Sequence, residues 1–236
     1  MLSSIETDYE TVKTIKHSER GSVSLLQNKQ NGTRFIFRHY RGNGEVYRKL
    51  LGISCPNLPQ IMETAERDGM VAVLEEYIQG DSLAYLLEGA LFSHAEARKI
   101  TMQLCNALWV LHKLGAVHRD IKPENIFISD NGDYKLGDFG IARTIERTTS
   151  GLSKKGNQDT QILGTTGYAA PEQYGIAQTD ERADIYSLGV LLNIMLTGKH
   201  PSKELASGRL GRIVQKCTMV NPEKRYKSVL YLMEAL

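Results

Sequence analysis

The spacing of apolar residues changes near residue 80, and no other feature of the sequence constrains the fold as strongly. Before this point, short runs of strand-forming residues are separated by polar breaks that contain glycine. The runs that predict strands are Tyr9–Ile15, Val23–Asn28, Arg34–Tyr40, Ile61–Glu66 and Val71–Glu75. Asn31-Gly32 and Asp68-Gly69 predict tight turns between neighbouring strands, and Glu45–Leu51 predicts a short helix.

Beyond residue 80 the apolar residues recur at helical spacing. Ser93 and Glu96 have the spacing of a capping box, so a helix is predicted after Ser93, with a stop near Gly115. Its predicted inner face consists of apolar residues at helical spacing, namely Ala97, Ile100, Leu104, Ala107, Leu108 and Leu111. Further helices are predicted around Ile185–Met195, which ends before Gly198, and at Leu210–Cys217 and Val229–Leu236.

Length, charge and cysteine content limit the class of protein. A chain of 236 residues suits one large domain or two small lobes. A formal net charge of +2 gives no reason to expect a nucleic acid or an anionic membrane as a partner. Cys55, Cys105 and Cys217 lie outside any metal-ligand spacing, which indicates a reducing compartment, and the apolar surroundings of Cys105 place it in the core.

The polarity of the N-terminal segment and the length of the apolar runs favour a soluble, cytoplasmic domain without membrane contact. Met1–Thr14 is too polar for a secretory signal, and Leu188–Leu196 is too short to span a bilayer. A longer native chain could carry an anchor beyond Leu236. The sequence leaves the oligomeric state open.

Three short motifs follow one another in the second part of the chain. His118–Asn125 reads HRDIKPEN, Asp138-Phe139-Gly140 begins thirteen residues after Asn125, and Ala170-Pro171-Glu172 comes later. Each motif is weak alone, but their order and spacing resemble the protein kinase family, most closely the compact bacterial Ser/Thr kinases. The resemblance covers nearly the whole chain and is better in its C-terminal two-thirds. It implies an α+β fold with two lobes: a small antiparallel sheet with one short helix, then a larger, mainly helical lobe.

The resemblance also assigns catalytic roles. Asp120 would accept or orient the proton of the substrate hydroxyl, and Lys122 would place an ammonium near the γ-phosphate of ATP. Asn125 and Asp138 would supply oxygen ligands to Mg²⁺, or to Mn²⁺ as an alternative ion. Thr165 would contact the catalytic aspartate and favour Ser/Thr acceptors, with its neighbour Thr166 as the competing candidate.

Other matches imply anchoring or regulation. Glu172 and Arg225 match a pair that ties the Ala-Pro-Glu segment to the late helices, and Asp184 matches an aspartate that anchors the catalytic loop. Residues 143–162 lack an apolar period and predict a long mobile surface loop. Arg119 would pair with a phosphate on that loop, where the candidate sites are Thr148, Thr149, Ser150, Ser153 and Thr160.

The N-terminal part departs from the family pattern. The phosphate-covering loop reads KHSERGSV over residues 16–23 and keeps only Gly21 and Val23, although Lys16 and Arg20 could compensate with charge. Arg38 stands where the family has a lysine that binds the α- and β-phosphates, and a bidentate pair with Glu45 is expected.

The remaining nucleotide-binding residues are assigned by the same resemblance. Ile36 replaces a small residue above the adenine ring, and Phe127 would form the floor of the pocket. Glu76 is placed among the nucleotide-binding residues, and Ile78 would give backbone bonds to adenine. Glu75 falls where an apolar residue usually closes the back of the pocket, and Leu74 is the alternative for that place.

We therefore expect one protein kinase domain over residues 1–236, with a nucleotide clamp at 1–78 and a catalytic lobe at 79–236. The expected function is transfer of the γ-phosphoryl group of ATP to Ser or Thr of a protein substrate, with autophosphorylation of the activation loop. The alternative is a pseudokinase, a scaffold that binds nucleotide weakly or not at all. A small-molecule phosphotransferase fits less well, because it does not explain Ala170-Pro171-Glu172.

Overall fold

The chain folds into two compact units, Met1–Gln79 and Gly80–Leu236. The computed structural model describes residues 5, 7–145, 147–148, 151–152, 164–175 and 179–236, without the side chains of 147–148 and 151–152. The first unit contains a five-stranded sheet, and the second is mainly helical. The predicted α+β class, a small antiparallel sheet followed by a larger helical part, is confirmed.

The sheet of the first unit is antiparallel, with the strand order β1-β2-β3-β5-β4. Its strands are β1 (Tyr9–Ser18), β2 (Gly21–Asn28), β3 (Arg34–Arg41), β4 (Ile61–Arg67) and β5 (Met70–Glu76). All five overlap the predicted runs. The short helix α1 spans Glu45–Leu50, and the side-chain oxygen of Asn43 accepts the N–H of Glu45 at 2.7 Å at its start.

The turns of this sheet follow from local chemistry. Asp68 and Gly69 both have positive φ, 54° and 73°, as a two-residue turn between antiparallel strands requires. The predicted turn at Asn31-Gly32 forms between β2 and β3, where the Asn28 side chain accepts the N–H of Asn31 at 3.2 Å. These turns fix the register of the strands, and with it the face of the sheet on which each side chain lies.

The second unit is built from five α-helices of very different length in the part of the chain that the structure describes. They are α2 (Leu83–Gly89), α3 (His94–Lys113), α4 (Glu181–Thr197), α5 (Gly208–Cys217) and α6 (Val229–Ala235). Three 3₁₀ turns accompany them at Pro123–Asn125, Pro171–Tyr174 and Pro222–Lys224. Short strand pairs complete the unit: β6 (Ala116–Val117) with β9 (Arg143–Thr144), β7 (Ile126–Ile128) with β8 (Tyr134–Leu136), and β10 (Arg147–Thr148) with β11 (Gly151–Leu152).

The ends of the long helices are set by the residues that the sequence indicated. At the start of α3 the Ser93 hydroxyl accepts the N–H of Glu96 at 3.3 Å, and the Glu96 carboxylate accepts the N–H of Ser93 at 2.9 Å. These two bonds confirm the capping box. Helix α4 ends at Gly198, whose φ of 70° is the left-handed conformation that favours glycine after a helix.

Helices α3 and α4 supply much of the core of this unit. Their inner faces bury large apolar side chains, including Leu104, Leu108, Leu111, Ile185 and Leu188. Cys105 and Cys217 are buried as well, and burial raises the pKa of the Cys217 thiol to about 12. The prediction that Cys105 belongs to the core is confirmed. No helix in the described ranges has the length and apolar character needed to cross a membrane.

Two sequence predictions need correction in this unit. The stretch predicted as a loop from residue 143 begins with β9, which pairs with β6, and its described part also contains the pair β10–β11. The helix α2 was not predicted, because seven residues are too few to show a helical period; the Ser82 side chain accepts the N–H of Tyr85 at its start.

A buried ion pair ties the Ala-Pro-Glu segment to the last part of the chain. The guanidinium of Arg225 is bidentate on the Glu172 carboxylate, with N–O distances of 2.6 and 2.9 Å. Arg225 also donates to the backbone carbonyls of Met219, Val220 and Arg182. The predicted contact between Glu172 and Arg225 is confirmed.

Loss of this arginine should destabilise the protein strongly. Arg225→Ala leaves the Glu172 carboxylate buried without its partner, and we expect a loss of about 3–5 kcal/mol in the free energy of unfolding. Denaturant unfolding measures it. The exposed Arg212→Ala in α5 serves as the control, with an expected change within about 0.5 kcal/mol. Equal stability of the two variants would show that the pair does not hold the unit together.

Candidate active site

The loop that carries Asp120 is fixed by one buried carboxylate. Asp184, in the first turns of α4, accepts the backbone N–H of His118 through Oδ2 and that of Arg119 through Oδ1, each at 2.9 Å. His112, in the last turn of α3, donates from Nε2 to Oδ2 at 2.9 Å. The predicted role of Asp184 as the anchor of the catalytic loop is thus supported by two hydrogen bonds to the loop, and a third, from His112, holds the carboxylate against α3.

The environment of Asp184 also decides its charge. Complete burial alone would raise the pKa of its carboxyl, but the hydrogen bonds that it accepts from His112 and from the backbone N–H of Arg119 outweigh burial and lower the pKa. Asp184 is therefore an ionised acceptor at neutral pH. An acceptor of this kind can hold two backbone N–H groups at once.

Arg119 is held on both sides of its peptide group in a strained conformation. Its φ of 70° lies in the left-handed region, which is costly for a residue with a side chain. Asp184 binds its N–H, and the side-chain amide of Gln173 donates to its carbonyl oxygen at 2.8 Å. Gln173 is buried and also accepts the N–H of Ala170 at 3.1 Å. Gln173 therefore connects the Ala-Pro-Glu segment to the residue before Asp120.

Four of the predicted residues form one hydrogen-bonded cluster around Asp120. The Thr165 hydroxyl donates to Oδ1 of Asp120 at 2.7 Å and accepts from the Lys122 ammonium at 2.6 Å. The Asn125 amide donates to Oδ2 of Asp120 at 2.9 Å and to its backbone carbonyl at 2.8 Å. The Lys122 nitrogen lies 3.1 Å from Oδ2 of Asp120.

The cluster keeps Asp120 in its charged form. Partial burial would raise the pKa of this carboxyl, but the Thr165 hydrogen bond, the Lys122 charge and the Asn125 amide together lower the pKa below its ordinary value. At neutral pH Asp120 is a carboxylate, which can accept a further hydrogen bond from a hydroxyl group. Thr165 rather than the exposed Thr166 makes the contact, which decides between the two candidates for it.

His118 connects this loop to the Asp-Phe-Gly segment. Its Nε2 donates to the backbone carbonyl of Gly137 at 3.0 Å, and its Nδ1 accepts the N–H of Asp120 at 3.2 Å. The ring also packs edge-on against buried Phe139, with centroids 5.3 Å apart. Burial lowers the pKa of His118, so the ring is neutral and can use one nitrogen as donor and the other as acceptor.

Asn125 and Asp138 have the donor chemistry that Mg²⁺ prefers. Both hydrogen bonds of the Asn125 amide use Nδ2, so its oxygen is the atom available as a ligand. Asp138 lies two residues after the end of β8 and has a φ of 63°, an unusual conformation for a residue with a side chain. No cluster of three His, Cys, Asp or Glu side chains suited to a metal ion occurs among the described residues. One amide and one carboxylate suit a magnesium ion that takes its other ligands from phosphates and water.

In the first unit, the strand register brings predicted nucleotide-binding residues onto one face of the sheet. Lys16 pairs with Val23, Val23 with Arg38, and Arg38 with Val73. Ile36 lies two residues before Arg38 and therefore shares this face. The register thus places Lys16, Val23, Ile36 and Arg38 together, as a face that binds a nucleotide would require.

The buried partner of Arg38 is a residue that the sequence interpretation assigned differently. Nε of Arg38 donates to Oε1 of Glu75 at 2.7 Å, and the two side chains are only 14% and 4% exposed. The expected bidentate pair with Glu45 stays a prediction; the Glu45 carboxylate lies 3.5 Å from Lys49 on α1. Glu75 faces Ile36 across the strands, whereas Leu74 pairs with Phe37 on the opposite face.

The presence of glycine at position 21 has a structural explanation that the motif comparison does not reveal. A side chain at this position would collide with the backbone carbonyl of His39 and with Tyr40 on β3. Strands β1 and β2 continue up to Ser18 and Gly21, so residues 19 and 20 alone form the turn. The segment predicted to cover phosphates is therefore a short hairpin turn whose glycine permits close packing of β2 on β3.

The remaining predicted nucleotide-binding residues lie at the ends of short strands. Glu76 is the last residue of β5. Its N–H donates to the backbone carbonyl of Gln60, and its carboxylate accepts the backbone N–H of Gln60. Ile78 lies beyond the end of this strand, and Phe127 lies in β7 of the second unit. Their roles toward adenine stay predictions.

The proposed phosphate acceptors fall outside the region that can be assessed. Thr149, Ser150, Ser153 and Thr160 lie outside the described residues, as does the side chain of Thr148. Arg119, their predicted partner, is a buried residue of the loop that carries Asp120. Its pairing with a phosphate stays a prediction.

Two residues of the site were missed or misread in the sequence. Gln173 has no role in the motif comparison, although its place directly after Ala170-Pro171-Glu172 was a signal. Glu75 was noted only as a charged residue at an apolar position. A carboxylate in a strongly apolar strand indicates a buried cation nearby, and the Arg38 contact supplies that cation.

Comparison with known proteins agrees with this geometry. A family profile described as the protein kinase domain matches residues 11–230. The chain therefore belongs to the protein kinase family, and the resemblance noted in its motifs is confirmed.

Similar curated proteins include bacterial proteins named as serine/threonine-protein kinases. The chain is 37% identical over 150 residues, 63% of its length, to a probable kinase of Bifidobacterium longum, of which this covers 19%. It is 30% identical over 76% of its length to a probable kinase of Clostridium perfringens, covering 25% of that protein. It is 41% identical over 53% of its length to the kinase PknL of Mycobacterium tuberculosis, covering 30%. The chain thus spans less than a third of each relative.

The hydroxyl of Thr165 should control both the rate and the acidity of Asp120. Thr165→Val removes the donor to Oδ1, so the pKa of Asp120 should rise and kcat should fall about tenfold to a hundredfold. Carbon-13 NMR of the carboxyl follows its titration: the depressed pKa keeps Asp120 ionised until the pH falls below the ordinary value, and the variant should protonate at higher pH.

Thr165→Ser is the matched control, since it keeps the hydroxyl and should retain both properties. A valine variant that titrates and turns over like the parent protein would show that the hydrogen bond at 2.7 Å does not tune Asp120.

Proposed function

We propose that this chain is the catalytic domain of a protein kinase that transfers the γ-phosphoryl group of ATP to Ser or Thr hydroxyls of proteins. The observation that carries the proposal is the cluster in which Thr165, Lys122 and Asn125 all bind the carboxylate of Asp120. We propose further that residues 1–78 form the nucleotide clamp and 79–236 the catalytic lobe of one domain, which acts in the cytoplasm.

Asp120 would receive the substrate hydroxyl. Its two oxygens offer about four lone-pair positions, and the cluster uses some of them for orientation. The ionised carboxylate would accept the hydroxyl proton or hold it in line for attack. Thr165 fixes one oxygen and Asn125 the other, so the carboxylate cannot rotate away from the incoming group.

Lys122 and the oxygen ligands would neutralise the charge of the phosphates. The ammonium of Lys122 has three N–H donors, of which Thr165 and Asp120 engage two, and the third would bind a γ-phosphate oxygen. Asn125 and Asp138 would hold Mg²⁺ or Mn²⁺, which supplies positive charge to the phosphate oxygens when bound. Positioning and charge compensation of this kind are what phosphoryl transfer mainly needs from a protein.

The first unit would hold the rest of the nucleotide. Arg38 would bind the α- and β-phosphates, and Lys16, on the same face of the sheet, would add charge where the glycine-rich loop is reduced. Gly21, Val23, Ile36, Glu45, Glu76, Ile78 and Phe127 are proposed to complete the nucleotide site. Autophosphorylation on the stretch between Asp138 and Glu172 is part of the proposal, and mass spectrometry after incubation with ATP would detect it.

A pseudokinase is the second candidate, and two observations favour it. The segment expected to cover phosphates is a two-residue turn in which Gly21 serves packing, and the charge of Arg38 is engaged by Glu75. A scaffold with these features would bind nucleotide weakly. The intact cluster around Asp120 favours the enzyme, because a scaffold has no chemical need for all four residues.

Asp120→Asn should abolish transfer while leaving the fold and ATP binding intact. The amide keeps the size of the side chain but cannot take a proton, so we expect a loss of at least about a hundredfold in kcat. Calorimetric titration with ATP and Mg²⁺ and a phosphate-transfer assay on a generic Ser/Thr protein give the two readouts.

Asp130→Asn changes an exposed carboxylate after β7 in the same way and should behave like the parent protein. Undiminished turnover in Asp120→Asn would remove Asp120 from its role. Absence of binding at millimolar ATP in the parent protein would favour the pseudokinase.

A further inference from the structure

Strand β5 contains a glutamate in its most buried part. Glu75 is 3% exposed and follows the apolar run Val71–Leu74 in the middle of the sheet. An ionised carboxylate in such a place is costly unless a cation and hydrogen bonds compensate it. The structure gives it Arg38, whose Nε lies 2.7 Å from Oε1. The two residues form one charged unit inside the sheet.

The backbone fixes this unit more firmly than the side chains alone would. Arg38 is paired with Val73 across β3 and β5, and Glu75 follows two residues later, so both side chains leave the same face of the sheet. Such diagonal neighbours are within reach of long side chains. Strand β3 is bonded on its other side to β2, and β5 to β4. Neither residue can move without disturbing a ladder of hydrogen bonds.

Helix α1 is a shorter and more exposed element than β5. It has six residues, and Glu45 in its first turn is 39% exposed and lies 3.5 Å from Lys49. A helix of this length depends on its surroundings for stability. An arginine oriented from this helix would follow the motion of the helix, whereas one oriented from β5 moves with the sheet.

We propose that Glu75 is the positioning residue that orients the Arg38 guanidinium toward the phosphates of the nucleotide. The inference rests on the proposed function, in which Arg38 binds the α- and β-phosphates. It names a residue of the sheet as a support of the phosphate-binding cation.

The identity of residue 38 agrees with this arrangement. Arginine has five N–H donors on a rigid plane, so Nε can serve the carboxylate while the other end of the plane faces a different anion. Lysine has a single ammonium, which would have to be shared between Glu75 and a phosphate. An arginine is therefore the residue that can be supported from β5 and still bind a ligand. The arginine at position 38, in place of the family lysine, and the glutamate at the apolar position 75 would then have a common explanation.

The test compares the effect of neutralising different glutamates on the KM for ATP. Glu75→Gln keeps the shape of the side chain and removes its charge, and we expect the KM to rise about tenfold or more. Glu63→Gln, an exposed position on β4, is the control and should stay within about twofold. Glu45→Gln should have a smaller effect than Glu75→Gln. The Kd for ATP, measured calorimetrically on the Asp120→Asn background, gives a readout that does not depend on turnover.

Arg38→Lys tests the coupling between the two residues. If Glu75 acts through the guanidinium, Arg38→Lys should itself raise the Kd, and adding Glu75→Gln to it should change the Kd far less than in the parent protein. Fully additive effects would show that Glu75 acts on something other than Arg38, and would overturn the proposal.

A variant in which the two charges are exchanged controls for loss of folding in the single variants. Arg38→Glu combined with Glu75→Arg restores an ion pair in the sheet, so thermal stability should recover while affinity for ATP remains low. Recovery of affinity as well would overturn the proposal, because the place of the cation would then not matter.

The outcomes separate this inference from the proposed function. A parent protein that binds and turns over ATP, with an unchanged KM in Glu75→Gln, overturns the inference alone. A loss confined to Glu45→Gln also overturns it and assigns the support to α1. A parent protein that neither binds ATP nor transfers phosphate overturns both.

Discussion

The buried carboxylate of Asp184 is the constraint on which the catalytic part depends. It lies on α4, whose neighbouring residues form the core, and both of its oxygens accept hydrogen bonds from the loop or from His112. A charge in this position is tolerated only because these donors compensate for the lost water. The same hydrogen bonds also fix the backbone before Asp120, and they hold Arg119 in a conformation that it would otherwise avoid. The rigidity of the core is thereby transmitted to the backbone that precedes Asp120.

Charge compensation continues from this anchor to Asp120. Burial acts against the ionised form of the carboxyl, and the Thr165 hydroxyl, the Lys122 ammonium and the Asn125 amide act in its favour. The same three groups also restrict the orientation of the carboxylate. Acidity and geometry therefore have one cause, and a residue that tunes one of them tunes the other. Thr165 is 45 residues away from Asp120, between the Asp-Phe-Gly and Ala-Pro-Glu motifs, so this tuning depends on how the fold places that part of the chain.

The sequence predicted well what depends on neighbouring residues and poorly what depends on distant ones. The capping box at Ser93, the turn at Asp68-Gly69 and the five strands follow from local patterns. The motif order identified the residues around Asp120. By contrast, Gln173 reaches Arg119 across 54 residues and Arg38 reaches Glu75 across 37. Neither contact has a periodic signal, because each depends on a register or a loop path that only the folded chain defines.

Two buried arginine–glutamate pairs lie in the part of the chain that the structure describes, and their surroundings distinguish their roles. Arg225 is fully enclosed, and its donors are taken by Glu172 and by three backbone carbonyls, so its charge can only hold segments together. Arg38 keeps 14% of its side chain exposed beside Glu75, on the face of the sheet that also carries Lys16 and Val23. A buried charge retained for stability alone is a poor choice, since apolar residues of similar volume often serve as well. The proposed binding of nucleotide phosphates by Arg38 would explain why a partly exposed cation is kept beside a buried carboxylate.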